Sequence, residues 1–171
     1  MSAELEGRAF LVGDDVDTDL LAPGAYMKGP IEELARHCLE ALDPGFAREV
    51  RPGDILLAGR NFGAGSSREQ AAQALRTLGI GAVVARSFAG IFYRNALNLG
   101  LLAVVCPDFE GIARGDRVRL DPRAGRLVHT ESGRSFACRP IPPHLLEMVE
   151  TGGIVPWLAR RLAAGREGVG R

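Results

Sequence analysis

Three short apolar runs dominate the middle of the chain: DILLAG (54–59), IGAVVA (80–85) and LLAVV (101–105). None alternates apolar with polar residues, so each must be covered on both faces, as the strands of a parallel sheet are. The segments between them carry a helical period instead. One helix is predicted from about Ser66 to Leu78. A second, from about Phe88 to Asn98, sets Phe88, Ile91, Phe92, Asn95, Ala96 and Leu99 on one side. Continuous strands alternating with amphipathic helices define βαβ units, and so an α/β fold built on a parallel sheet.

The flanks add to this core. GRAFLV (7–12) predicts a short strand ahead of an aspartate-rich loop, GDDVDTDLLAPG. Ile31, Leu34, Ala35, Cys38, Leu39 and Leu42 share a helical face over 31–42, and Asp43-Pro44-Gly45 ends that helix. After Pro107, RVRL and RLVHT lie on either side of Asp121–Gly125 and predict an antiparallel hairpin. The stretch from about Pro143 to Leu162 reads as one or two helices, with 163–171 as a flexible tail. At 171 residues the chain suits one domain spanning 1–171.

Charge and composition exclude several classes of function. Twenty-one basic residues balance twenty-one acidic ones, so no global field draws in nucleic acid or an anionic membrane. No run approaches the roughly 20 apolar residues that span a bilayer, and MSAELEGR lacks a secretory pattern. Cys38, Cys106 and Cys138 are odd in number and widely spaced, which opposes a disulfide framework and predicts a cytoplasmic, reducing setting.

The chemistry concentrates in GRNFGAGSSREQ (59–70), between the end of one predicted strand and the start of the next helix. Ligands of open α/β sheets bind at that edge. Gly59, Gly63 and Gly65 allow close backbone approach, and the first turn of a helix offers unpaired amides. Arg60 and Arg68 add planar, bidentate donors suited to a carboxylate or phosphate. Such a turn binds an anion. The competing reading is structural: Ser66 caps the helix, Glu69 completes a capping box and Arg68 is solvated.

Known anion motifs do not match. A phosphate-binding Walker loop needs a lysine, and none follows Lys28. The dinucleotide fingerprint fails because Gly63-Ala64-Gly65-Ser66-Ser67-Arg68 lacks its last glycine. An esterase elbow would need glycine at Arg68 and a histidine partner, and His37, His129 and His144 form no triad pattern. The aspartate-rich loop is no EF-hand either: counting from Asp15, Leu20 stands where glycine belongs.

Taken together, GRNFGAGSSREQAAQAL, SFAGIFYRNALNLGLL and DDVDTDLLAPGAY resemble the swivelling domain of the aconitase superfamily. They are most similar to the separately encoded small subunits of 3-isopropylmalate dehydratase (isopropylmalate isomerase) and homoaconitase. The resemblance runs from about Gly7 to Leu162. It implies an aconitase-type α/β swivelling domain, a parallel βαβ core with helices packed on it and an antiparallel hairpin region.

The implied function is that of a heteromeric hydro-lyase of leucine biosynthesis. It isomerises 2-isopropylmalate to 3-isopropylmalate: water is lost across two carbons and regained with the hydroxyl on the neighbouring carbon. Homoaconitate in lysine biosynthesis is the alternative substrate, and a free-standing anion-binding regulatory module is a third reading. In the family a [4Fe–4S] cluster with one open iron acts as Lewis acid. Here the three cysteines suit core packing rather than a spaced ligand set. The resemblance therefore implies no metal or cofactor on this chain and a cluster in a large partner subunit. It implies a small hydroxy di- or tricarboxylate as substrate, with no nucleic acid or membrane partner.

Residue by residue, Ser66 matches the family's base, acting as alkoxide on the proton beside a carboxylate. Ser67 and Arg68 match residues that hold substrate carboxylate, and Arg60 and Asn61 lie in the same loop. Asp17, Thr18 and Asp19 match a supporting loop facing the shared site, although aspartates also serve ordinary turns. Lys28, in Tyr26-Met27-Lys28-Gly29, falls where the family's loop touches the variable end of the substrate, a departure from both the arginine and the apolar residue found there. Asn95 is expected as a satisfied buried amide, with a supporting role at the active site as the alternative.

Overall fold

The computed structural model describes residues 4–169. Its seven strands form one sheet in the order β4-β3-β2-β1-β5-β6-β7. The parallel part comprises β1 (Leu5–Leu11), β2 (Ile55–Ala58), β3 (Ala82–Ala85) and β4 (Leu102–Val105). The antiparallel part adds β5 (Arg117–Asp121), β6 (Arg126–His129) and β7 (Ser135–Ala137).

The two parts meet within β1. Ala9, Phe10 and Leu11 run parallel to Ile55, Leu56 and Leu57, whereas Leu5 to Arg8 pair antiparallel with β5. Every residue of β2 and β3 is buried, which is why their sequences show no alternation. Leu56, Ala58, Val83, Ala85 and Ala103 face one core, beneath α4 (Glu69–Thr77) and α5 (Gly90–Asn98). Ile55, Leu57, Val84 and Val104 face the other, where Val118, Leu120, Leu127 and Phe136 of the antiparallel part pack against them. The sheet thus curls so that its own outer strands cover its second face.

The remaining helices are α1 (Thr18–Leu21), α2 (Ile31–Arg36), α3 (Phe46–Glu49), α6 (Pro143–Thr151) and α7 (Ile154–Val169). A 3-10 turn, Gly24–Tyr26, precedes α2. No helix among the described residues is long and apolar enough to cross a membrane.

Several sequence expectations need correction. The helix placed over 31–42 stops at Arg36, because Leu39 takes a left-handed conformation (φ 59°) that a helix cannot accommodate. Leu34, Ala35, Cys38 and Leu39 are buried regardless, while Leu42 is exposed. The helix expected from Ser66 begins at Glu69. Gly65 is left-handed (φ 104°) and the Ser66 carbonyl accepts from Arg68 N–H (2.9 Å), a tight turn that delays the helical pattern. The second helix starts at Gly90 rather than Phe88, because Ala89 has an extended backbone (ψ 133°) and serves as the N-cap, its N–H donating to Phe62 carbonyl (2.9 Å). The hairpin gains a third strand, β7, and the last helix continues past Leu162 to Val169, with 170 and 171 outside the described residues.

Candidate functional site

The glycine turn leaves the carboxyl end of β2, and the aspartate-rich loop leaves the carboxyl end of β1. Because those strands are adjacent and parallel, the loops emerge side by side and zip together through backbone bonds. Asp15 N–H donates to Arg60 carbonyl (2.8 Å), Gly63 N–H to Val16 carbonyl (2.7 Å) and Thr18 N–H to Ala64 carbonyl (2.8 Å). Asp17 and Ala64 form an isolated parallel bridge. Side chains extend the contact: Arg60 N–H donates to Asp14 Oδ1 (2.7 Å) and Asn61 Nδ2 to Asp15 Oδ1 (3.0 Å).

Close packing requires a glycine at the centre of the turn. Gly63 has φ 84°, and a Cβ there would stand 2.2 Å from Cγ of Phe92. Phe92 belongs to α5 and meets Phe62 edge to face at 5.1 Å, so the turn rests on an aromatic floor. Asn61 and Asp15 are also left-handed, at φ 58° and 56°. Both residue types tolerate that region better than most.

Ser66 and Ser67 sit at the exposed crest of this turn. Neither serine caps α4, whose N-cap position is Arg68 and has no side-chain cap bond. The N–H groups of Ser66, Ser67, Glu69 and Gln70 have no acceptor among the described residues. Ser66 Oγ lies 3.4 Å from Oγ1 of Thr18, which is only 3% exposed. Arg68 Nη1 donates to Asp19 Oδ1 (2.5 Å) and to Ala22 carbonyl (3.1 Å), while its Nε and Nη2 have no acceptor among the described residues. Asp17 caps α1, accepting from Leu20 N–H (2.9 Å). The result is a crest of free amides, two hydroxyls and half a guanidinium open to solvent, a surface complementary to a carboxylate.

The other expected residues are less closely drawn in. The Arg60 side chain is exposed beside the turn and has no acceptor among the described residues. Lys28 is exposed just after the 3-10 turn, and no contact among the described residues joins it to the serines. What fixes its loop is a ring contact that the sequence reading missed. Tyr26 stacks on His37 (3.6 Å, 1° between planes), and His37 Nδ1 pairs with Glu40 (2.7 Å). Asn95 is half-buried rather than buried. Ser87 was also missed: its Oγ accepts from Asn61 N–H (2.8 Å) and its carbonyl from Phe62 N–H (3.1 Å). Its only sequence signal was its place just after a buried strand.

The three cysteines do not form a ligand set. Cys38 is fully buried in the helix-side core, where burial pushes its thiol far above the ordinary range. Cys106 and Cys138 lie on the other face of the sheet. A hydrogen bond from Cys138 holds the Cys106 thiol below its usual value and raises that of Cys138. An iron–sulfur cluster does not fit these residues. Asp116, His129 and Glu131 bring ligand atoms within 4.8 Å of one another. There, however, His129 Nε2 is bonded to Asp116 (2.9 Å) and Nδ1 to Ser132 (2.6 Å), away from the glycine turn.

The family model described as the aconitase C-terminal domain matches residues 39–108, which include the glycine turn and α5. The 3-isopropylmalate dehydratase small subunit of Moorella thermoacetica is 44% identical over 92% of this chain and 96% of its own length. Small subunit 1 of Methanopyrus kandleri is also 44% identical, over 96% of this chain and 98% of its own. A crystal structure of 3-isopropylmalate dehydratase from Methanocaldococcus jannaschii matches with a TM-score of 0.90 at 40% identity, over 96% of this chain and 99% of that one. The fold and its glycine turn are those of an aconitase-type swivelling domain. Within that class, the chain belongs to the small-subunit family of 3-isopropylmalate dehydratase.

Proposed function

We propose that this chain contributes the proton-transferring half of a 3-isopropylmalate dehydratase active site, with Ser66 as the base. The observation that carries the reading is the exposed Ser66 hydroxyl, set among unpaired amides and 3.4 Å from the buried Thr18 hydroxyl. A serine hydroxyl is a weak base until its anion is stabilised. Free amides at Ser66 and Ser67, and the positive end of the nine-residue α4, supply that stabilisation. Ser66 then removes the proton from the carbon beside a substrate carboxylate and returns one during rehydration.

Ser67 and the free edge of Arg68 hold a carboxylate of the substrate. Asp19 aims Arg68 by engaging its other nitrogen, Asp17 fixes the loop through its cap, and Thr18 holds the Ser66 hydroxyl. Arg60 and Asn61 border the carboxylate on the β2 side, and Lys28 meets the variable end of the substrate. The substrate is 2-isopropylmalate, converted to 3-isopropylmalate in leucine biosynthesis.

The crest is open to solvent, and no group among the described residues is placed to handle the departing hydroxyl. That task falls to a large partner subunit, which carries the [4Fe–4S] cluster in this reading and supplies the Lewis acid when bound. The pair works in the cytoplasm.

The experiment is a reconstitution. The chain carrying Ser66→Ala is mixed with wild-type large subunit, iron and sulfide under anaerobic conditions. Pairing and substrate binding should persist while turnover falls by orders of magnitude, and the wild-type chain alone should have neither cluster nor activity. Near-normal turnover by the Ser66→Ala complex would remove Ser66 from the role.

A further inference from the structure

The carboxyl edge of the parallel sheet continues past the glycine turn. β3, the neighbour of β2, ends at Ala85 and delivers Arg86, Ser87 and Phe88 beside that turn, to which Ser87 is hydrogen-bonded (2.8 Å). Next to Ser87 lies a cavity of about 360 Å³. Its polar lining is Arg86, Ser87, Tyr93 and Arg139, its apolar wall includes Phe88 and Ile141, and no acidic side chain among the described residues lines it.

The two arginines differ in a useful way. Arg86 is anchored: Nη1 donates to Pro107 carbonyl (2.8 Å) and stands 4.0 Å from Asp108 Oδ1, which offsets part of its charge, and the guanidinium lies over the Phe109 ring (4.7 Å). Arg139 is held only by its backbone, whose N–H donates to Val105 carbonyl (2.8 Å), and its guanidinium has no acceptor among the described residues. The Tyr93 hydroxyl also has none. Burial pushes its phenol up, and the charge of Arg139 partly offsets this. The hollow therefore presents one fixed cation, one unpaired cation and two hydroxyls over an apolar floor. Arginine and tyrosine in a shaped hollow are the residue types that anchor protein interfaces.

Position selects the occupant. A partner that closes over Ser66 must also pass over the next loop along the same edge, one hydrogen bond away. Resting on the proposed closure by a large subunit, we infer that this hollow belongs to the docking face and receives an acidic side chain of that subunit. Its carboxylate sits between Arg139 and Arg86, with its methylene stem against Phe88 and Ile141. Exposed Ile91 on the first turn of α5, 46% accessible, extends the apolar part of that face.

The test measures pairing and chemistry separately, using the cognate large subunit and the chain carrying Arg139→Glu or Arg139→Lys. Arg139 is exposed and bonded only through its backbone, so both variants should melt like the wild type. Arg139→Glu should raise the Kd for the large subunit at least about tenfold, and Arg139→Lys much less. The wild-type Kd should weaken with salt more steeply than that of Arg139→Glu. At saturating large subunit, kcat should be unchanged in both. Ser66→Ala should leave Kd alone, so failure of the serine assignment would leave the Arg139 result standing, and the reverse. A wild-type Kd for Arg139→Glu would overturn the inference. So would binding of 2-isopropylmalate to the isolated chain that Arg139→Glu abolishes while pairing is unaffected, since the hollow would then be a small-carboxylate site.

Discussion

Thr18 Oγ1 lies 3.4 Å from Ser66 Oγ, although 48 positions separate the two residues in sequence. The buried threonine opens α1 directly after the β1 loop and the exposed serine lies in the turn after β2, so the parallel pairing of two strands sets the distance. Thr18→Val keeps the shape and removes the hydroxyl. In the reconstituted enzyme kcat should fall about three- to tenfold, the worth of one ordinary hydrogen bond, with little change in melting temperature. Thr18→Ser should recover most of the loss and the wild-type pH profile of kcat. Equal losses in both variants would reduce Thr18 to a packing residue.

Gly63 makes the turn possible. Gly63→Ala meets Phe92 and is held at φ 84°, so it should destabilise the chain by about 2–4 kcal/mol in denaturant titration. Adding Phe92→Ala relieves the clash but not the backbone strain, so recovery should be absent or partial. A neutral Gly63→Ala would show that the turn relaxes freely.

The turn was legible in the sequence because glycines, serines and arginines crowd one junction between strand and helix. The parallel strands were legible for a different reason: burial on both faces erases polar positions from β2 and β3. What was not legible is nonlocal. That β1 divides its hydrogen bonds between β2 and β5 depends on partners more than 40 residues away. The zipper of Asp15, Val16 and Thr18 against Arg60, Gly63 and Ala64 follows from strand adjacency, which no local pattern reports. Leu39 carries an apolar pattern that continues a helix, yet its backbone turns left-handed so that its side chain can stay buried. Ser87 has no motif of its own, and only the fold reveals its bond to Asn61.

Lys28 is exposed on a loop that Tyr26 and His37 hold in place. Lys28→Met should leave activity on 2-isopropylmalate unchanged or higher. Any activity on homoaconitate should fall by roughly one to two decades, because a charged partner for a distal carboxylate is lost. Parallel losses on both substrates would show that Lys28 does not discriminate between them.

Asp116 links stability to acidity. Ala113 N–H (2.8 Å) and His129 (2.9 Å) bond its carboxylate and hold it below the ordinary value of 3.8. A depressed folded pKa favours the fold above the unfolded value, and the benefit is lost as pH falls through the folded one. The wild type should therefore lose stability more steeply than Asp116→Asn as pH falls from about 5 to 3. Denaturant midpoints over that range measure it, and parallel curves throughout would refute the linkage.

The central claim is that Ser66 takes the carbon-bound proton. It is tested most directly by the kinetic isotope effect on 2-isopropylmalate deuterated at the carbon that loses its proton, in reconstituted wild-type and Ser66→Ala enzymes. Removing the base should lower kcat by roughly 10²–10⁴-fold. It should also make cleavage of the carbon–hydrogen bond fully rate-limiting, so the isotope effect on the residual turnover should exceed the wild-type value. A Ser66→Ala enzyme with wild-type kcat, or with a reduced rate but an unchanged isotope effect, would contradict the assignment.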